Sequence, residues 1–381
     1  MAEQAVERLD AGARTRVVEW SPGLRIAAWW AGSRAVVVAC AALLHWLRAP
    51  AGYFHPEFRS VEAVLASWDG RWYDQVARNG YLLVPGHQSD VAFFPLYPAL
   101  LRAGRLLGLT YAGAGILISN LVPLGGLLAF YRLSRELLPA ADAYRACVFA
   151  AIAPLGFTFS MVYPESIVFA ATALAGLCAL RSRWIACAAF AATATLARPQ
   201  GVLVVIPIAG VVWIHRRGLT PRRLGLAAGA VLAPIAALAS FPLYTAVVLH
   251  DPMAWSKSQQ AWGRSFDWDG FVRAVGQLPA RNGTDHWILR DAFFFLAYAV
   301  LLAVALRAGL PRAWIAAGAL MVFLPLETGS FISDARFGLL ALPVFWGLAV
   351  LGRRPWLDRS LRLVSLALLV TLTLTMPLIF P

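Results

Sequence analysis

A few charged residues stand where this sequence could do chemistry. The first is Asp69, in the stretch Trp68-Asp69-Gly70-Arg71-Trp72-Tyr73-Asp74. Residues 61–81 read as an interfacial helix or a broken pair, with Val61, Val64, Leu65, Trp68, Trp72 and Val76 on one apolar stripe. Asp69 falls at the stripe's edge near Glu62 and Tyr73, and Arg71 and Arg78 fall on the far side. A carboxylate held there meets the polar end of a lipid-borne substrate; the lesser alternative, on composition alone, is a solvated surface acid. Gly70 is the expected break, with Ser67 or Asp69 capping the second piece and Gly80 stopping it.

Arg198 lies between two apolar runs, where an unpaired charge is expensive and marks function more often than a snorkelling helix end. Arg336 begins a run beside Asp334, where an ion pair or an interface anchor is the plain alternative to a functional role. Glu165 opens a helix, where an acid suits the dipole in any case. His87 and His286 sit in loops, where a lone histidine is usually incidental. Asp267-Trp268-Asp269 spells a DxD, better read as a solvated loop or helix cap than as a metal site. No Gly-rich phosphate loop follows a strand.

The elements that must position these groups are apolar runs. The sequence is 60% hydrophobic and 14% charged, against about 25% charged in ordinary globular chains. That excludes a soluble domain and predicts an all-α polytopic integral membrane protein. The expected spans are 26–47, 113–131, 146–162, 164–180, 184–197, 200–214, 224–249, 292–306, 313–326, 337–351 and 363–380, about eleven in all. Residues 1–25 form a cytoplasmic N-terminal segment without the apolar core of a signal peptide, and 26–381 form a single multi-span domain. Cys40, Cys147, Cys178 and Cys187 all fall inside apolar runs, as small buried hydrophobes rather than a disulfide or zinc set.

With the N-terminus inside, cytoplasmic segments hold 19 of the 33 Lys and Arg and only seven of the 20 acids. This is the positive-inside pattern, so the net +13 reflects orientation and anionic lipid rather than nucleic acid. The long external segments are 48–112 and 250–291, and such segments are where membrane-bundle chemistry sits. The expected location is a multi-pass cell-membrane protein with an extracytoplasmic site.

Three blocks in order carry a family likeness: Trp68-Asp69-Gly70-Arg71-Trp72-Tyr73, Ala77-Arg78-Asn79-Gly80-Tyr81 and Phe93-Phe94-Pro95-Leu96-Tyr97-Pro98. It continues through Phe157-Thr158-Phe159-Ser160-Met161-Val162-Tyr163-Pro164-Glu165-Ser166 and Ala197-Arg198-Pro199-Gln200-Gly201, and only loosely through Ser333-Asp334-Ala335-Arg336-Phe337. The chain thereby resembles the PIG-V family, polytopic mannosyltransferases of the GT-C superfamily, over most of its first 210 residues. The pattern often has Thr or Ser where Pro164 stands.

The resemblance implies a GT-C-like bundle that transfers a sugar, mannose being the expected one, from a polyprenyl-phosphate donor to an acceptor hydroxyl on a glycolipid, glycan or protein. No nucleotide and no metal cofactor is implied. Asp69 matches the family's catalytic aspartate, with Asp74 and Glu62 as lesser alternatives. Substrate contacts are expected from Trp68, Arg71, Trp72, Tyr73, Asp74, Tyr163, Glu165, Arg198, Gln200 and Arg336, the arginines facing phosphate and the tryptophans a sugar ring. Two rival classes stay open. One is a lipid-linked-sugar transporter or flippase, which would want midplane ionisable sites and a repeated half. The other is a non-catalytic assembly partner.

Overall fold

Long apolar runs can satisfy their backbone away from water only by closing their own hydrogen bonds, which favours helices. The structure, a computed structural model, describes residues 20–48, 58–264, 268–276, 278 and 286–376. Every regular element among them is helical. The first half comprises α1 (Pro22–Trp46), α2 (Val61–Leu65), α3 (Asp69–Asn79), α4 (Leu96–Leu106), α5 (Tyr111–Arg135), α6 (Ala140–Ala151), α7 (Glu165–Leu180) and α8 (Trp184–Ala197). Then come α9 (Val205–His215), α10 (Pro221–Val248), α11 (Ala254–Ala261), α12 (Gly270–Gly276), α13 (His286–Arg307), α14 (Arg312–Phe323), α15 (Asp334–Gly338), α16 (Leu342–Leu351) and α17 (Pro355–Thr375).

Five helical stretches among the described residues are long and apolar enough to cross a membrane: Pro22–Trp46, Tyr111–Arg135, Pro199–Gly218, Pro221–Val248 and Ile288–Arg307. Of the other expected spans, 164–180 and 184–197 form the shorter helices Glu165–Leu180 and Trp184–Ala197, 363–380 falls on the helix Pro355–Thr375, and three are broken near a proline. The run 146–162 stops as α-helix at Ala151, ahead of Pro154, and resumes as a 3-10 turn, Gly156–Ser160. The run 313–326 passes into a 3-10 turn at Leu324–Thr328 around Pro325, and 337–351 restarts at Leu342 with Pro343 in its first turn.

The long helices are apolar on their outward faces as well as their inward ones. On α10, Leu232, Leu243 and Val247 are exposed, and on α13 so are Phe293, Leu296 and Val300. A helix hydrophobic all round needs apolar surroundings. Inside, α7, α8 and α10 approach through small residues: Ala175, Cys187, Ala191, Ala227 and Ala230 are all buried in one cluster. Close helix approach through small side chains is how apolar helices gain packing contacts without a hydrophobic driving force between them. None of the four cysteines is in a disulfide.

The orientation expected from the arginine distribution has a direct check. Ser89 lies within residues 48–112 but is buried, so it is no labelling position. His87 and Arg217 are both exposed. In intact cells, His87→Cys should react with a membrane-impermeant maleimide and Arg217→Cys should react only after permeabilisation. The reverse pattern would overturn the orientation.

Candidate functional site

The stretch 61–81 folds as the broken pair, but the break differs from the expected one. It falls at Ala66–Trp68, and Gly70 lies inside α3, where its Cα approaches Val162 closely enough that an added Cβ would sit 3.3 Å from that side chain. Neither Ser67 nor Asp69 caps the helix: the N-cap is Trp68, without a side-chain bond, and Asp69 is the first helical residue. Trp68 makes the turn with φ 56°, a left-handed conformation that L-residues avoid. Its indole Nε1 donates to the Met376 carbonyl at 3.0 Å. The apolar stripe is kept, with Val64, Leu65 and Val76 buried, and Gly80 ends the helix with φ 80°.

Asp69 does not lie at a solvated edge. It is 7% exposed, and its backbone N–H donates to the Tyr163 hydroxyl at 3.2 Å. Its Oδ2 accepts from Arg336 Nη1 at 2.7 Å. Arg336 is fully buried, its guanidinium 5.2 Å from the Tyr163 ring centre and its Nε 3.4 Å from Glu165 Oε1. Glu165, also fully buried, is ion-paired with Arg198 Nη1 through the same oxygen. Arg198 Nε donates to Gln200 Oε1 at 3.2 Å, and its guanidinium lies 4.8 Å from the Phe337 ring centre. The result is an alternating line of charge, Arg198–Glu165–Arg336–Asp69, drawn from four separate segments.

Each member is placed by a local rule. Glu165 follows Pro164 as the first residue of α7, where the helix dipole favours an acid. Arg198 is extended (φ −160°, ψ 138°) because Pro199 follows it, and that interrupts the helix to turn the side chain inward. Gly201 makes the same turn possible: a Cβ there would lie 2.2 Å from the Ala194 carbonyl. Arg336 rides on the single turn α15, launched by Ser333 at φ 68° and fastened by Tyr298 Oη donating to the Ala335 carbonyl at 2.7 Å.

The expected residues divide clearly. Asp69, Tyr163, Glu165, Arg198, Gln200 and Arg336 come together. Tyr73 is buried one turn along α3, edge-on to Phe93 and Tyr97, each with ring centres 5.1 Å away. Trp72 stacks on Phe93 and meets Trp262 edge-on, so its ring is committed to packing. Arg71 is exposed, and Asp74 is bonded to exposed Arg78 at 2.6 Å, away from the cluster. Glu62 accepts from the Thr110 hydroxyl. His87 is exposed. Asp267 lies outside the described residues, while Asp269 is largely exposed and pairs with Arg273.

The pairing of Arg336 with neighbouring Asp334 does not occur. Asp334 is fully buried with neither carboxylate oxygen hydrogen-bonded, and burial together with the Asp291 charge pushes its pKa up to about 9. Protonated, Asp334 leaves Arg336 to Asp69 and Glu165. An apolar crevice lies beside Gln200, lined by Leu203, Val204, Pro207, Trp314 and Met321.

No protein-family model matches the chain, and no curated protein does. Among solved structures, it is similar to the oligosaccharyltransferase of Archaeoglobus fulgidus in its apo form, with 14% identity and a TM-score of 0.46 over 92% of this chain and 55% of that one. It is also similar to the archaeal oligosaccharyltransferase AglB from Archaeoglobus fulgidus in complex with an inhibitory peptide and a dolichol-phosphate, with 12% identity and a TM-score of 0.42 over 92% and 55%. The chain thus spans about half the length of these structures, and a likeness this loose carries no argument about function.

One residue near the cluster escaped the sequence reading. Arg264 lies close enough that Asp69, Arg198 and Arg336 all act on it electrostatically. Its only sequence signal is a position just after Trp262-Gly263 in the long segment 250–291, which spacing rules do not single out.

The loop that reaches toward Arg264 is held by Asp90. Its Oδ1 accepts from the Leu82 N–H at 2.8 Å, and Gln75 Nε2 donates to Oδ2 at 3.4 Å. Burial outweighs these bonds and pushes the carboxyl up to about 6. The folded chain therefore holds a proton that the unfolded chain releases, and stability present below about pH 4 is lost as pH rises through about 6. Melting temperature in detergent should fall across that window in the wild type, and Asp90→Asn should flatten the fall. An unchanged slope in the variant would remove Asp90 as its source.

Proposed function

We propose that this chain is a membrane glycosyltransferase of the GT-C type, akin to the PIG-V family. In this reading it moves a sugar, mannose by that kinship, from a polyprenyl-phosphate donor to an acceptor hydroxyl on the extracytoplasmic face. One observation carries the reading. The acids and arginines of four separate family-like blocks converge into a single buried line of charge, with Asp69 at its end.

The chemistry follows from group types. Transfer with inversion forms a bond between the acceptor oxygen and the sugar's anomeric carbon as the bond to phosphate breaks. The acceptor's proton must go to a base, and the departing phosphate needs positive charge. Asp69 is the base: Arg336 holds Oδ2, and the other oxygen takes the proton. Holding the carboxylate from one side fixes its orientation before the acceptor arrives, so less ordering remains for the transition state. Glu165 sets Arg198 and Arg336 side by side in the same way, and Gln200 steers Arg198.

The test is an assay of the purified chain with a polyprenyl-phosphate-[14C]mannose and a panel of glycolipid, glycan and peptide acceptors, run in parallel with a nucleotide-linked mannose. Label should move from the lipid-linked donor and not from the nucleotide. Movement of the intact lipid-linked sugar across vesicles without transfer would favour a flippase instead. The outward N-terminus and inward long loops of a reversed orientation would also overturn the placement of the site.

A further inference from the structure

We infer that Arg264 is the residue that recognises a substrate phosphate at this site, contributed by the second long external segment. The inference rests on the glycosyltransferase reading and supplies what the buried line of charge by itself does not: a cation without a carboxylate partner among the described residues. Arg198 is paired with Glu165, and Arg336 with Asp69 and Glu165. Two cations and two carboxylates balance, so an incoming dianion or diester finds no uncommitted positive charge among those four.

Arg264 is different. Among the described residues no carboxylate lies within ion-pair distance of its guanidinium. Its contacts are neutral: Gln259 Oε1 at 3.3 Å and the Trp262 ring, 5.4 Å away. The side chain is half-buried. Burial, the largest influence on it, holds its pKa down to about 10, with Asp69 opposing and Arg198 and Arg336 adding to the fall. It is still charged at neutral pH, at a cost that an anionic ligand would offset.

Its position is set by a rigid mount. Gly263, at φ 71°, closes the end of α11 so that the Arg264 N–H donates to the Gln259 carbonyl at 2.9 Å. Just before it, Trp262 Nε1 donates to the Ser89 carbonyl at 2.9 Å, and Ser258 donates to the same oxygen at 3.2 Å. The Trp262 ring meets Trp72 edge-on at 5.3 Å and Phe93 at 5.5 Å. Trp72 is one turn along α3 from Asp69, so this aromatic contact ties Arg264 to the helix that presents the base. A guanidinium offers two parallel donors to phosphate oxygens, which suits the phosphate of either a lipid-linked or a free ligand.

The test uses the full chain in detergent and three probes: farnesyl phosphate, farnesol and inorganic phosphate. By calorimetry, wild type should bind farnesyl phosphate at least about tenfold more tightly than farnesol, and Arg264→Gln should bring the two within about twofold. Inorganic phosphate binding much more weakly than farnesyl phosphate identifies the lipid-linked source. Equal binding of the two, lost in Arg264→Gln, keeps the assignment and points to a free phosphate. If wild type prefers farnesyl phosphate and Arg264→Gln keeps that preference, the assignment to Arg264 fails while the donor class stands. If wild type shows no preference, both fail.

A second measurement needs no variant. Farnesyl phosphate, unlike farnesol, should slow phenylglyoxal modification of Arg264, read by peptide mass spectrometry. Equal modification rates with the two probes overturn the inference even if Arg264→Gln does not fold.

Discussion

Asp69→Asn is expected to lower sugar transfer by about 10²- to 10⁴-fold, the usual contribution of a general base. Asparagine keeps the shape of the side chain and can still accept from Arg336 Nη1, which lies 2.7 Å from Asp69 Oδ2. What it loses is the capacity to take the acceptor's proton. Initial rates with a polyprenyl-phosphate-mannose measure the loss, and binding of farnesyl phosphate, which needs no proton transfer, should persist. Asp74→Asn and Glu62→Gln should be milder, because Asp74 is paired with exposed Arg78 and Glu62 is bonded to Thr110. Near-normal transfer in Asp69→Asn, with loss in either of the other two, would place the base elsewhere.

Arg336→Met should have the largest effect on stability of any single change in the site. Arg336 is fully buried between Asp69 and Glu165, so methionine leaves two carboxylates competing for what Arg198 can supply. Removing one partner of a buried ion pair typically costs about 3–5 kcal/mol, whereas replacing the whole pair with apolar groups can be close to neutral. The double variant Asp69→Asn/Arg336→Met should therefore melt above Arg336→Met alone while remaining inactive. A double-mutant cycle on melting in detergent reads the coupling. Additive single effects would mean that the two residues do not share an interaction.

Much of the charge cluster was legible because its residues are costly where they stand. Arg198 between apolar runs and Glu165 after Pro164 both mark places where a charge needs a reason, and both lie in the cluster. The amphipathic stripe of 61–81 was readable from spacing, and so was its end at Gly80. The break was not, because it depends on Trp68 adopting a left-handed backbone that the sequence discourages and tertiary contacts to Met376 support. Partner choice was also hidden. Arg336 stands two residues from Asp334 yet pairs across the fold with Asp69, since burial leaves Asp334 protonated. Arg264 was invisible for the same reason: its placement comes from packing between segments far apart in the chain. Helix lengths were overcounted where Pro154, Pro325 and Pro343 interrupt runs that hydropathy joins together.

The ion pair between Asp69 and Arg336 spans 267 residues of chain, which has a consequence for biosynthesis. At a typical elongation rate of about 5–20 residues per second, the aspartate leaves the ribosome roughly ten to fifty seconds before its partner. During that interval α1 to α14 can form, and Glu165 can pair with Arg198, but Asp69 waits without the arginine that holds it. The nascent bundle must therefore accommodate a half-assembled line of charge until the late segment arrives. Completion of that line is then a late event in maturation, reached when the single turn of α15 delivers Arg336.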